Sequence, residues 1–200
     1  MIETLLVDIG NVLTPFDFEP ALREFRRRSD RFDERAPGWI LRVKNDFERG
    51  HVSPESFVRE AIDDLGFHGS AEEFTAIWKD IFVENEAFTA LVRSLEGRLP
   101  LYLLSNTNAL HLEHLRERFP VFGCFQGGVF SHLAHSLKPE EEIYRQAIEA
   151  FSLRPGKTVF VDDLKDNVEA AIRLGFHAIQ YDHRDHESFL EALARAGLPV

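Results

Sequence analysis

Four short groups of residues have the types and spacing to do chemistry together: Asp8, the pair Ser105-Asn106, Lys138, and the pair Asp162-Asp163. Asp8 follows Leu5-Leu6-Val7, Ser105 follows Leu101-Tyr102-Leu103-Leu104, and Asp162 follows Val159-Phe160-Val161. Each apolar run reads as a buried parallel strand that delivers a polar side chain at its C-terminal tip. Ligands of open α/β sheets collect beyond such tips. On the first stretch alone Asp8 reads equally well as a turn cap; the repetition on later strands favours a site. Two carboxylates brought together repel, and one pKa rises unless a cation lies between them. Asp8 with Asp163 therefore makes a sensible seat for Mg2+, which takes one or two carboxylates and favours phosphate oxygens. Ser105 and the amides opening the helix after it suit an anion. Lys138, which in isolation would read as a surface lysine, adds a point charge beside them.

The elements that must position these residues alternate. Strands are expected at 4–8, 99–104, 129–131, 158–161 and 177–181, with helices between the later ones. The fold class is α/β, a doubly wound parallel sheet. Pro139 is expected to open the helix that carries Ile143, Ala147, Ile148 and Phe151 inward. After the first strand the pattern turns helical instead. Ser53-Pro54 starts a helix with the stripe Phe57, Ala61, Ile62 and Leu65, which Gly66 ends. Ser70 to Glu73 reads as a capping box ahead of Phe74, Ile77, Trp78, Ile81 and Phe82. This insert is longer than a crossover needs. Residues 1–15 and 86–200 are expected to form the core, and 16–85 a helical cap inserted after the first strand.

The chain has 200 residues, 44% of them hydrophobic, with 18 Phe, enough for a full core. No apolar run reaches the length of a bilayer span, and Met1-Ile2-Glu3 lacks the basic start of a signal peptide. Cys124 is the single cysteine, which excludes an internal disulfide and suits a reducing compartment, so the cytoplasm is expected. A formal charge of -11 argues against nucleic acid or an anionic membrane as partner. His111 and His114, three apart on what reads as a polar helix end, do not make a zinc site.

In order along the chain, Asp8, Ser105, Lys138-Pro139 and Asp162-Asp163 resemble the four motifs of the haloacid dehalogenase superfamily, and the helical insert falls where that superfamily places its first type of cap. Asp-x-Gly-Asn-Val, Glu-Arg-Gly, Leu-Ser-Asn-Thr-Asn, Lys-Pro-Glu and Asp-Asp-x-x-x-Asn are similar to the branch containing bacterial sugar-phosphate phosphatases such as those acting on α-D-glucose 1-phosphate. The resemblance implies an Mg2+-dependent phosphomonoester hydrolase for a small phosphorylated metabolite, a sugar phosphate above all. It makes Asp8 the nucleophile that becomes an aspartyl-phosphate. It gives the metal to Asp8, Asp163 and the Gly10 carbonyl, with Asp162 and Asn167 behind them as orienting groups. Ser105, Asn106 and Lys138 would hold the phosphoryl oxygens, and Glu48 and Arg49 of the insert would face the rest of the substrate.

Two positions depart from that pattern. Most phosphatases of the superfamily have a second Asp where this chain has Gly10, and glycine cannot move a proton. General acid–base help is typically worth about 10²–10⁴ in rate. Either the substrate has a good leaving group, or a neighbour such as Asp17 supplies the proton through water. His135 replaces a common glycine ahead of the Lys-Pro turn. A degenerate member that binds a phosphorylated ligand without turnover, a 2-haloacid dehalogenase, and a response-regulator receiver are the competing readings. Dehalogenases need no metal and no acidic pair on the fourth strand; receivers put their acidic pair on the first strand and carry no insert.

Overall fold

The computed structural model describes residues 2–198; Met1, Pro199 and Val200, at the two ends of the expected core, lie outside the described residues. Strands β1 (Thr4–Val7), β2 (Leu101–Ser105), β3 (Gly127–Phe130), β4 (Thr158–Asp162) and β5 (His177–Gln180) form one parallel sheet in the order β3-β2-β1-β4-β5. The central strands are apolar throughout because both faces are covered. Leu5, Val7, Leu103 and Val161 point to one face with Phe88, Leu112 and Phe189 from helices α5 (Glu86–Leu95), α6 (Ala109–Arg118) and α10 (His186–Arg195). Leu6, Leu104 and Phe160 point to the other, against Tyr144 and Ala171 of α8 (Glu141–Phe151) and α9 (Lys165–Arg173). This is the α/β, doubly wound arrangement expected from the strand-helix alternation. In register, Val7 lies opposite both Leu103 and Val161, so the residue after Val7 emerges level with the ends of β2 and β4.

Between β1 and α5 the chain is helical. α1 (Glu19–Arg27), α2 (Phe32–Arg42), one π-helical turn (Val43–Phe47), α3 (Pro54–Leu65) and α4 (Ala71–Lys79) pack around Phe25, Trp39, Phe57, Phe74 and Trp78. Local signals place their ends. The Ser53 hydroxyl accepts from Ser56 N at 3.2 Å, Gly66 closes α3 at φ 64°, and Ser70 and Glu73 complete a reciprocal capping box. The chain leaves and re-enters the sheet layer side by side: Asp17 N donates to Ile81 O at 3.0 Å, and Val83 N to Pro15 O at 2.9 Å. Asn85 then caps α5 and donates to Val12 O at 2.8 Å, which ties the loop after β1 to the returning chain.

Two boundaries differ from expectation. β3 begins at Gly127, two residues early, because Gly127 and Gly128 already pair in register with Tyr102 and Leu103 of β2. Ser131 belongs to the short helix α7 (Ser131–Ala134) instead. Pro139 does not open α8, which starts at Glu141; Glu140 N donates to Leu137 O at 2.8 Å and holds 137–140 as a turn. Among the described residues, no helix is long and apolar enough to cross a membrane.

Candidate active site

The floor of the site is the C-terminal edge of the sheet. Asp8 N still bonds Val161 O at 2.9 Å, so its carboxylate is fixed by the ladder, and the residue is buried. Ser105 ends β2 and is buried beside it, its hydroxyl favouring the Asp8 carboxylate. Lys138 arrives from the turn after α7. Its ammonium donates to Leu104 O at 2.8 Å and Asp162 Oδ2 at 2.6 Å, and lies 2.8 Å from Asp8 Oδ1. An ammonium has three protons; two go to Leu104 O and Asp162 Oδ2, while Asp8 Oδ1 is its ion-pair partner without an aligned hydrogen bond. Asp162 is wholly enclosed; its Oδ1 accepts from Leu164 N and Asn167 Nδ2, both at 2.9 Å. Asp163 Oδ2 accepts from Asn11 Nδ2 at 3.0 Å.

Charge on this floor does not balance. Asp8, Asp162 and Asp163 each bring an oxygen within 4.8 Å of the others, against one ammonium. Burial pushes the Asp8 carboxyl up to about 7, with Lys138 opposing the shift and Asp162 adding to it. Burial raises Asp163 as well, with the Asn11 amide pulling the other way. Such a cluster of hard oxygens with too few cations suits a divalent ion. Asp162 is already engaged on both oxygens, so Asp8 and Asp163 are the carboxylates left to meet one.

Above the floor opens a cavity of about 510 Å³. Asp8, Gly10, Ser105, Asn106, Lys138, Asp163 and Asn167 line it, as does Glu48 from the insert. Arg49 is not among the lining residues. Its guanidinium pairs with Glu140 through both nitrogens, at 2.5 and 3.1 Å. Asp17 does not line it either; its carboxylate accepts from Glu19 N at 2.9 Å at the start of α1. The Asn106 side chain grips the backbone of Lys138, accepting from its N at 2.8 Å and donating to its O at 2.9 Å. Asn106 therefore builds the lysine turn with its amide group. His135, in place of the common glycine, keeps the left-handed conformation at φ 53° and bonds Arg49 O through Nδ1 at 2.8 Å. The departure at His135 leaves the turn intact.

Three features are not visible in the sequence alone. Asn11, at φ 53°, aims its amide at Asp163. His111 is buried and not on a polar end. Its Nε2 meets Trp78 O and its Nδ1 meets the Asn108 amide, each at 3.0 Å. A carbonyl only accepts, so Nε2 carries the proton, and burial lowers the His111 pKa to about 4. The third is the wall of the cavity, which includes Phe18, Trp39, Trp78 and Phe82. The Asn108-x-x-His111 spacing, an N-cap and its recipient, is the one local signal of the second feature.

Known proteins share this fold. A HAD family enzyme from Bacteroides thetaiotaomicron superposes with a TM-score of 0.84 at 27% identity, over 95% of this chain and 98% of its own. The same enzyme in complex with magnesium and inorganic phosphate superposes at 0.83 and 26% identity, over 94% and 99%. A sesquiterpene phosphatase from Aspergillus oryzae is 29% identical over 133 residues, 64% of this chain and 67% of the relative. A stretch of 99 residues, half of this chain, is 29% identical to 8% of the mouse acyl-CoA dehydrogenase family member 10. The family model for haloacid dehalogenase-like hydrolases matches residues 2–175, and the chain belongs to that family.

Proposed function

We propose that this hydrolase is an Mg2+-dependent phosphomonoesterase that works through an aspartyl-phosphate on Asp8. The observation that carries the reading is the pairing of Asp8 and Asp163 over a buried lysine that already serves Asp162. The Bacteroides enzyme that binds magnesium and phosphate and the Aspergillus phosphatase support it. Residues 1–15 and 86–200 would form the core and 16–85 a cap over its edge. Asp8, Asp163 and the Gly10 carbonyl would hold the metal, with Asp162 and Asn167 fixing the groups around it. The bound ion would neutralise charge on the phosphoryl oxygens.

An Asp8 oxygen attacks phosphorus, and the bond from phosphorus to the ester oxygen breaks. The departing alkoxide takes its proton from water, because Gly10 offers none. Conversion of the Asp8 carboxylate to an acyl phosphate removes its negative charge. The Lys138 proton that faced it then turns to a phosphoryl oxygen, where Ser105 and the main chain of Asn106 also bind. Water attacks the same phosphorus, releasing inorganic phosphate and the carboxylate. The sum is one ester and one water giving one alcohol and one phosphate.

A sugar phosphate is the substrate that the motif resemblance implies. Gly10 equally suits a protein that binds a phosphorylated ligand without turnover. Phosphate release from p-nitrophenyl phosphate decides between them. Activity that needs Mg2+, stops with EDTA and disappears in Asp8→Asn supports the enzyme; binding with no release supports the other. Chloride release from 2-chloropropionate would replace both with a dehalogenase.

A further inference from the structure

We infer that the organic part of the substrate is an apolar group, aromatic or branched hydrocarbon, and not a sugar. The inference rests on the phosphatase reading for the ester and on the cavity wall for its organic group. Away from the floor the wall is made by Phe18, Trp39, Val43, Trp78, Ile81 and Phe82, with Leu22 and Ile40 beside them. The inserted helices supply most of these, and the about 510 Å³ they enclose is within the usual range for a ligand of moderate size.

A sugar needs partners for each hydroxyl as both donor and acceptor, since a buried hydroxyl left unpaired is costly. The wall has little to offer. His111 has both ring nitrogens engaged, by Trp78 O and the Asn108 amide. Trp39 and Trp78 are buried with indole N–H groups that make no hydrogen bond, but an indole only donates. Glu48 is the wall's carboxylate and stands at the π-helical turn's end. A hydrocarbon or aryl group instead gains from each ring and aliphatic side chain it covers here, and ring-on-ring contacts add to that. The phosphate end would lie on the floor and the apolar end among the rings.

The test compares 2-(1-naphthyl)ethyl phosphate with glucose 6-phosphate, both esters of primary alcohols, so leaving-group chemistry is matched. With the full chain and Mg2+, kcat/KM for the naphthyl ester is expected to be higher by about tenfold or more, chiefly through KM. Equal or better use of glucose 6-phosphate would overturn the inference. Ile40 is 49% exposed, so a charge there is expected to leave the fold intact. Ile40→Glu is expected to raise KM for the naphthyl ester by about fivefold, and an unchanged KM would count against the wall as the binding surface. If neither ester nor acetyl phosphate is hydrolysed, the phosphatase reading fails by itself. Calorimetric titration with the two intact esters then decides: tighter binding of the naphthyl ester sustains the apolar site, and equal or absent binding removes it.

Discussion

The ring of Phe16 covers Gly10: a Cβ placed on the glycine would lie 3.1 Å from Phe16 Cε1. The position where related phosphatases keep an acid is thus roofed by an aromatic ring, and a carboxylate there has to move it. With no acid at Gly10, kcat/KM is expected to fall steeply as the leaving-group pKa rises across a series of aryl and alkyl phosphates. The double variant Gly10→Asp with Phe16→Ala, which clears the ring, is expected to flatten that slope and speed alkyl esters by about 10². An unchanged slope in the double variant would show that the proton reaches the leaving group from elsewhere.

Lys138 is expected to matter for folding as well as for turnover. Its side chain and that of Asp162 are almost fully enclosed, and Lys138→Met leaves the carboxylate buried without its partner. Loss of one member of such a pair typically costs about 3–5 kcal/mol. Urea unfolding of Lys138→Met should show a loss of that order, and adding Asp162→Asn should recover part of it.

Asp8 is expected to destabilise the fold it serves. Its pKa stands near 7 in the folded chain against 3.8 unfolded. Its stabilising contribution is complete below pH 3.8 and is lost as pH rises through about 7. Asp8→Asn, which mimics the uncharged form, should therefore raise Tm at pH 8, with the gain shrinking toward pH 4. Mg2+ at about 100 times its Kd should stabilise the native chain by about 2.7 kcal/mol and should do much less for Asp8→Asn or Asp163→Asn. Thermal scans with and without the ion check both.

His111 has the opposite sign to Asp8. Its folded pKa of about 4 lies below the ordinary 6.5, so the neutral ring is the stable form inside. Stability is full above pH 6.5 and declines as pH falls toward 4, because the unfolded chain takes up the proton first. Each pKa unit is worth about 1.4 kcal/mol. His111→Gln should flatten the Tm-against-pH curve over that window, and an equally steep curve in the variant would assign the loss to other groups.

Arg49 is expected to be nearly silent in catalysis while it stays with Glu140. The pair is half open to solvent, and pairs of that kind contribute about 0–1 kcal/mol. Arg49→Ala should leave KM for p-nitrophenyl phosphate within about twofold. A large rise in KM would mean that the guanidinium leaves Glu140 for the substrate.

The residues that the sequence made legible are those whose signal is local. Asp8, Ser105 and Asp162 each interrupt an apolar strand, and the contrast marks the tip wherever the strand sits in the sheet. Ser70 and Glu73 cap one helix and are three residues apart. The contacts that stayed hidden join distant parts of the chain. Asn11 meets Asp163 across 152 positions, Asn106 grips Lys138 across 32, and His111 reaches Trp78 across 33. The rings raise a different difficulty. Phe74 and Trp78 share one apolar stripe, yet Trp78 lines the cavity and Phe74 does not. Helical periodicity selects a face and says nothing of what stands opposite it.

The short ribbon where residues 15–17 run beside 81–83 closes the inserted helices into a loop with a single neck. Both joints of that loop lie side by side, and its helices meet the rest of the chain again through Arg49 with Glu140 and Trp78 with His111. Grafting another relative's helices at these two joints would exchange the ceiling over an unaltered set of reacting groups. Diversity in what such proteins accept can arise by splicing there, without any rebuilding of the chemistry.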